Sequence, residues 1–167
     1  MHYRHRYHAG NFADVFKHML LCGLLSALSR KDKPWCYFET HAGAGEYDLG
    51  QDAATRTGEF GGGIGRLAGI ENVPQPLADY LAIVSKINGG GALRHYPGSP
   101  LIAHVLAREH DRLVFCEKVP EVAEELRSIM RRDARAAVHQ RDGYELLGML
   151  PPKEKRGLVL IDPAFED

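Results

Sequence analysis

Apolar positions along this chain alternate between two periods. From Asn11 to about Ser29 they fall at helical spacing. Phe12, Val15, Phe16, Met19, Leu20, Leu24 and Leu28 make one stripe, which predicts a helix burying that face. Asn11 is a good N-cap and Asp14 stands at the third helical position, an arrangement like a capping box. Trp35–Thr40 is a short apolar and aromatic run, as in a buried parallel strand. Leu113–Cys116, Ala136–His139 and Gly157–Ile161 are three more strand candidates. Strands alternating with helix signals predict an α/β fold with a parallel sheet. The expected strand order is third, second, first, fourth, with the fourth strand an open apolar edge.

Residues 48–94 break this rhythm. They carry a helix-like run from Pro76 to Asn88 between Gly61-Gly62-Gly63 and Gly89-Gly90-Gly91, with no convincing strand. The pattern predicts an inserted helical subdomain on flexible joints, with residues 1–47 and 95–167 forming the core. Past the insertion, Ser99 can cap a helix through Leu101, Ile102, Val105 and Leu106, with Pro100 at its first position.

Composition narrows the class. A chain of 167 residues with 44% hydrophobic residues and net charge −1 suffices for one globular domain with a core. No apolar run looks long enough to span a bilayer, and the N-terminus opens on His and Arg rather than an apolar leader. A cytoplasmic protein without membrane contact is the expectation. Cys22, Cys36 and Cys116 are odd in number, far apart and set in apolar runs, so they read as buried thiols rather than disulfides or zinc ligands. Met1–Gly10 is basic and aromatic, with His2, His5 and His8 at every third position. No Cys or carboxylate joins those histidines, so no metal is expected there. A cationic arm contacting phosphates is the functional reading, and a solvated terminus the plain one.

Candidate chemistry begins where the first strand ends, at His41 and the Gly43-Ala44-Gly45 turn. In open α/β sheets a nucleoside cofactor binds beyond the carboxyl ends of the strands. A dinucleotide fingerprint needs a third glycine where Asp48 stands, and an acid at a strand end about 20 residues on. That window offers only Glu59, in a glycine-rich stretch, and no Gly-Lys-Ser/Thr follows as a Walker loop would require. A strand, an acid or polar residue and then G-x-G is also how S-adenosylmethionine (AdoMet) enzymes begin, although a structural turn reads the same. The three later strands end in Glu117, in Asp142-Gly143 and in Asp162. Glu117 suits two ribose hydroxyls, because a carboxylate can accept both hydrogen bonds. Asp142 suits an adenine edge. Each acid alone reads sooner as a cap or loop residue; as a set they favour a nucleoside site.

Asp162-Pro163-Ala164-Phe165 is the most specific feature. An exocyclic base amine is a poor nucleophile because its lone pair is delocalised into the ring. An Asp oxygen and a backbone carbonyl accepting its N–H bonds can draw that pair out, while an adjacent aromatic ring stacks on the extruded base. The alternative is a strand ending in an Asp-Pro turn.

Together these residues resemble the RlmJ family, which methylates N6 of an adenosine in 23S ribosomal RNA with AdoMet. The likeness rests on Tyr3-Arg4-His5, His8-Ala9-Gly10-Asn11, Lys17-His18, Thr40-His41-Ala42-Gly43-Ala44-Gly45, Tyr96-Pro97-Gly98-Ser99-Pro100, Asp142-Gly143 and Leu160-Ile161-Asp162-Pro163. The resemblance implies a Rossmann-like AdoMet-dependent methyltransferase core, with the sheet incomplete in this chain. It implies AdoMet contacts at His18, His41, Ser99, Glu117, Asp142, Gly143 and Asp162, beside the Gly43/Gly45 turn, with Lys17 close to the cofactor. Asp162 would be catalytic with Pro163 and Phe165, and Tyr3 a movable cover over the site. By the residues alone, Lys17 is a solvated charge and His18 an ordinary helix residue. The family tetrapeptide is Asp-Pro-Pro-Tyr; here Phe165 keeps the stacking face and Ala164 aims the Pro163 carbonyl less rigidly. Family members continue well beyond Asp162, so this chain looks like an N-terminal portion of a monomeric enzyme. Rival readings are the same chemistry on DNA, and a non-catalytic nucleic-acid-binding protein in DNA uptake.

Overall fold

In chain order the elements are α1 (Phe12–Ser29), β1 (Cys36–Glu39), β2 (Glu46–Asp48), α2 (Asp52–Thr57), α3 (Glu59–Gly62) and a 3-10 turn, Ile64–Leu67. There follow α4 (Gln75–Ile87), β3 (His95–Pro97), α5 (Ser99–Leu106), β4 (Arg112–Glu117), α6 (Pro120–Met130), β5 (Ala136–Gln140), a second 3-10 stretch, Gly143–Met149, and β6 (Gly157–Leu160). The computed structural model describes residues 7–67 and 69–164, so Tyr3 and Phe165 lie outside the described residues.

Four of the strands form one parallel sheet in the order β5-β4-β1-β6, the order expected. Every residue of β1 is buried, Glu39 at its end included. Trp35, Tyr37, Leu113 and Phe115 join one face of the sheet to the helices. Cys36, Phe38, Val114 and Cys116 form the core of the other face with Leu146. The three cysteines are free and buried, and burial pushes the Cys22 and Cys36 thiols up to about 12.

The buried face of α1 is not the expected one. Asp14, His18, Leu21, Cys22 and Leu25 point inward, whereas Phe12 is 76% exposed and Phe16, Leu20 and Leu24 are all exposed. Val15 and Leu28 pack only at the margin of the core. The helix is apolar nearly all round, so the choice of face falls to its neighbours α4 and α5. The outer stripe and the free side of β6 line an open groove of about 470 Å³ through Phe16, Leu20, Leu24 and Leu158. Contrary to expectation, α1 is also long and apolar enough, by length and composition, to cross a membrane. A core helix passes that test too, and one side of α1 is in the core.

The structure adds one strand pair and corrects one cap. β2 and β3, absent from the sequence reading, pair antiparallel with Tyr47 opposite Tyr96 and tie together the two ends of the 48–94 segment. α5 is capped by Gly98, and Ser99 is already helical, with its hydroxyl turned to Glu39 instead of the helix end. The expected joint at Gly61-Gly62-Gly63 is in part a close contact. Gly63 lies against the backbone of Gly10 and Asn11, and the Ile64 N–H donates to the Gly10 carbonyl at 2.9 Å. At the helix start, Asn11 Oδ1 accepts the Asp14 N–H at 3.0 Å. The Asp14 carboxylate in turn accepts the N–H of Gly10, one residue beyond a standard capping box.

Candidate active site

The Gly43-Ala44-Gly45 turn leaves β1 at its carboxyl end, and both glycines have positive φ (68° and 85°). Partners from distant segments hold it in place. The Gly43 N–H donates to Glu117 Oε2 at 2.9 Å, the Ala44 N–H to the Tyr47 hydroxyl at 3.2 Å, and the Gly98 N–H to the Gly45 carbonyl at 2.8 Å. The β2–β3 ladder missed in the sequence is therefore the buttress of this turn.

Glu117 ends β4. Its other oxygen accepts the Val119 N–H at 2.8 Å, so the carboxylate is fixed in plane and each oxygen keeps a further lone pair. Asp142 follows β5. It accepts the Tyr144 N–H at 3.0 Å and pairs with Lys118 at 3.3 Å, and these two contacts, the backbone bond first, hold its carboxyl below the usual range. His41 meets the Tyr144 ring edge-on at 5.4 Å between centroids, and its Nδ1 is 2.8 Å from Thr40 Oγ1. Gly143 lies so close to the Thr40 carbonyl that a Cβ would overlap it. Gly143→Ala should therefore push the Asp142 loop off the end of β1 and cost about 1–3 kcal/mol, read from the urea midpoint.

Asp162 follows β6 and is 45% exposed. Lys17 reaches it from α1 at 2.7 Å, and the same ammonium lies 3.0 Å from the buried Asp14. Burial alone would lower the Lys17 pKa; the charges of Asp14 and Asp162 outweigh it, and the net displacement is upward. Lys17→Met removes the cation facing both carboxylates. It should lower stability by about 1–3 kcal/mol, measured as a shift in the denaturant midpoint at constant slope.

Thus Glu117, Asp142 and Asp162 gather at one edge of the sheet with His41 and the Gly43 turn. Other candidates sit further in. Ser99 is buried against Glu39. His18 is fully buried, with Nδ1 2.8 Å from the Tyr96 hydroxyl, which accepts from Tyr80 at 3.0 Å. Pro163 directly follows Asp162 at the rim.

Sequence reasoning assigned nothing to Glu39. It is the last residue of β1, 2% exposed, held by the Tyr37 hydroxyl at 3.0 Å and by Ser99. Burial pushes its carboxyl up to about 8. The available signal was a lone acid inside an otherwise apolar strand, directly ahead of the glycine turn.

The sheet order and the acids at successive strand ends define a Rossmann-like core of the methyltransferase type. The family model described as ribosomal RNA large subunit methyltransferase D, RlmJ, matches residues 32–167, and the chain belongs to that family. It is 48% identical over 165 residues to an Escherichia coli protein named ribosomal RNA large subunit methyltransferase J. It is 43% identical over 166 residues to a Haemophilus influenzae protein of the same name. Each alignment covers 98% of this chain and 59% of the relative, so the chain spans well under two thirds of the curated relatives it matches. The crystal structure of a Legionella pneumophila protein superposes with a TM-score of 0.88 at 41% identity, over 96% of this chain and 59% of that one.

Proposed function

We propose that the complete protein transfers a methyl group from AdoMet to N6 of an adenosine in 23S ribosomal RNA, acting as a monomer in the cytoplasm. The observation that carries this reading is the gathering of three strand-end carboxylates around the Gly43 turn, with Asp162 exposed at the rim. The donor set suits a nucleoside. Glu117 is oriented by two backbone N–H groups and keeps lone pairs for ribose hydroxyls. Asp142 and Gly143 flank the place for an adenine edge. His18, His41, Gly43, Gly45, Ser99 and Lys17 are the further cofactor contacts in this reading. AdoMet supplies an electrophilic methyl group on a sulfonium.

The chain's own residues position the nucleophile. Lys17 on Oδ2 fixes the Asp162 carboxylate, so Oδ1 can accept an N–H of the target amine while the Pro163 carbonyl accepts the other. Holding both reactants in line supplies ~7–11 kcal/mol of the barrier reduction. Stacking on the base and covering it fall in this reading to Phe165 and Tyr3, both outside the described residues. Residues 48–94 form the inserted helical subdomain, closed at its neck by the β2–β3 ladder.

The test is incubation of the full-length protein with methyl-labelled AdoMet and either deproteinised 23S RNA or duplex DNA. Label recovered as N6-methyladenosine in the RNA is the expected result. Label confined to DNA would reassign the substrate, and no label in either would leave the nucleic-acid-binding reading.

A further inference from the structure

Glu39 is a buried acid that the reaction described above does not use. It ends β1 directly beneath the glycine turn, with the Tyr37 hydroxyl on one oxygen and the Ser99 hydroxyl on the other. Both partners are neutral. Among the described residues, the charges that act on Glu39 are Lys17 from α1 and Asp162 after β6, in opposite directions, and the two are bonded to each other at 2.7 Å. Tyr37, on the same strand, is itself held protonated far above its ordinary range, by burial first and then by Glu39. The two hydroxyl bonds favour the ionised form, but burial of a side chain only 2% exposed outweighs them, and no cation among the described residues is bonded to Glu39, so the carboxyl keeps its proton at neutral pH.

That proton decides what Ser99 can do. A hydroxyl has one hydrogen to donate. Against an ionised Glu39, Ser99 must donate its hydrogen inward. Against a protonated Glu39, whose other oxygen accepts from Tyr37, the Ser99 oxygen accepts and its own hydrogen is left for another acceptor. We propose that Glu39 is a positioning residue that sets the Ser99 hydroxyl as a hydrogen-bond donor to the methyl donor. The proposal rests on the reading that Ser99 contacts AdoMet.

The test uses full-length wild type, Glu39→Gln and Ser99→Ala. AdoMet binding is followed by calorimetry from about pH 6.5 to about pH 9.5, and difference infrared spectra of the unliganded proteins cover the same range. In wild type, AdoMet affinity should fall about three- to tenfold across the alkaline half, the loss of one positioned hydrogen bond. A protonated-carboxyl band should disappear over the same interval. Glu39→Gln, whose amide always has hydrogens to donate, should lack that band and show affinity that no longer changes with pH. Ser99→Ala should bind weakly at every pH. An alkaline loss of affinity in Glu39→Gln equal to that of wild type would overturn the proposal, as would the absence of the band from wild type at neutral pH. Wild type that fails to bind AdoMet at any pH, with the band present, would sink the AdoMet reading and this role of Glu39 with it, leaving only the proton on Glu39.

Discussion

Asp162→Asn should leave the protein folded and lower methyl transfer about a hundred- to a thousandfold, the usual loss when one positioned group stabilising the transition state is removed. The side chain is 45% exposed and lies at the mouth of the sheet, so the core does not depend on it. The amide keeps the shape of the carboxylate but loses its charge. It can still offer an oxygen, yet its NH2 must turn toward either Lys17 or the incoming amine, and both are donors. Facing Lys17, it sets two donors against each other across a contact that now measures 2.7 Å. Facing the substrate, it repels the amine it is meant to hold. Rapid-quench measurement of a single turnover would isolate the chemical step, and the loss should fall on kcat rather than on the KM for AdoMet. A variant within about threefold of wild type would remove Asp162 from the reaction.

The fold was legible to different degrees for reasons that particular residues make plain. The four parallel strands stand out because each is a short, mostly apolar run, and the later three lead to Glu117, Asp142 and Asp162. The order β5-β4-β1-β6 is that of the first strands of a doubly wound sheet. The face of α1 was misjudged because Phe12, Phe16, Leu20 and Leu24 are as apolar as Leu21, Cys22 and Leu25, so periodicity could not choose between the two sides. Asp14 and His18, polar residues that would normally mark an outer face, are inside because each has a partner there, Gly10 for one and Tyr96 for the other. β2 and β3 have three residues each, too short to show a period of two. Within the candidate site, the carboxylates were visible as single letters at strand ends. The contacts that orient them were not. Lys17 on Asp162, Gly43 on Glu117 and Ser99 on Glu39 join residues 145, 74 and 60 positions apart, and no local pattern encodes such pairs.

Glu39→Gln should change how stability depends on pH more than any other single substitution in the core. The folded carboxyl titrates near 8, against 4.5 for the ordinary group, because burial disfavours the charge. Between those values the folded state binds the proton and the unfolded state does not. Wild-type stability must therefore fall as pH rises through that window, with nothing further lost above it. The span corresponds to at most about 5 kcal/mol, and relaxation around Lys17 will reduce it. Glutamine cannot ionise, so the variant should lack this slope. Below about pH 5 it gains nothing over wild type and loses the small difference between a carboxylic acid and an amide bonded to Tyr37 and Ser99. Above about pH 8 it should be the more stable protein, by a few kcal/mol. Urea unfolding at a series of pH values, analysed at a common slope, gives both curves; parallel curves across the window would mean that Glu39 is already ionised at neutral pH. The same buried acid would then have to find its stabilising charge in Lys17, which would loosen the hold of Lys17 on Asp162.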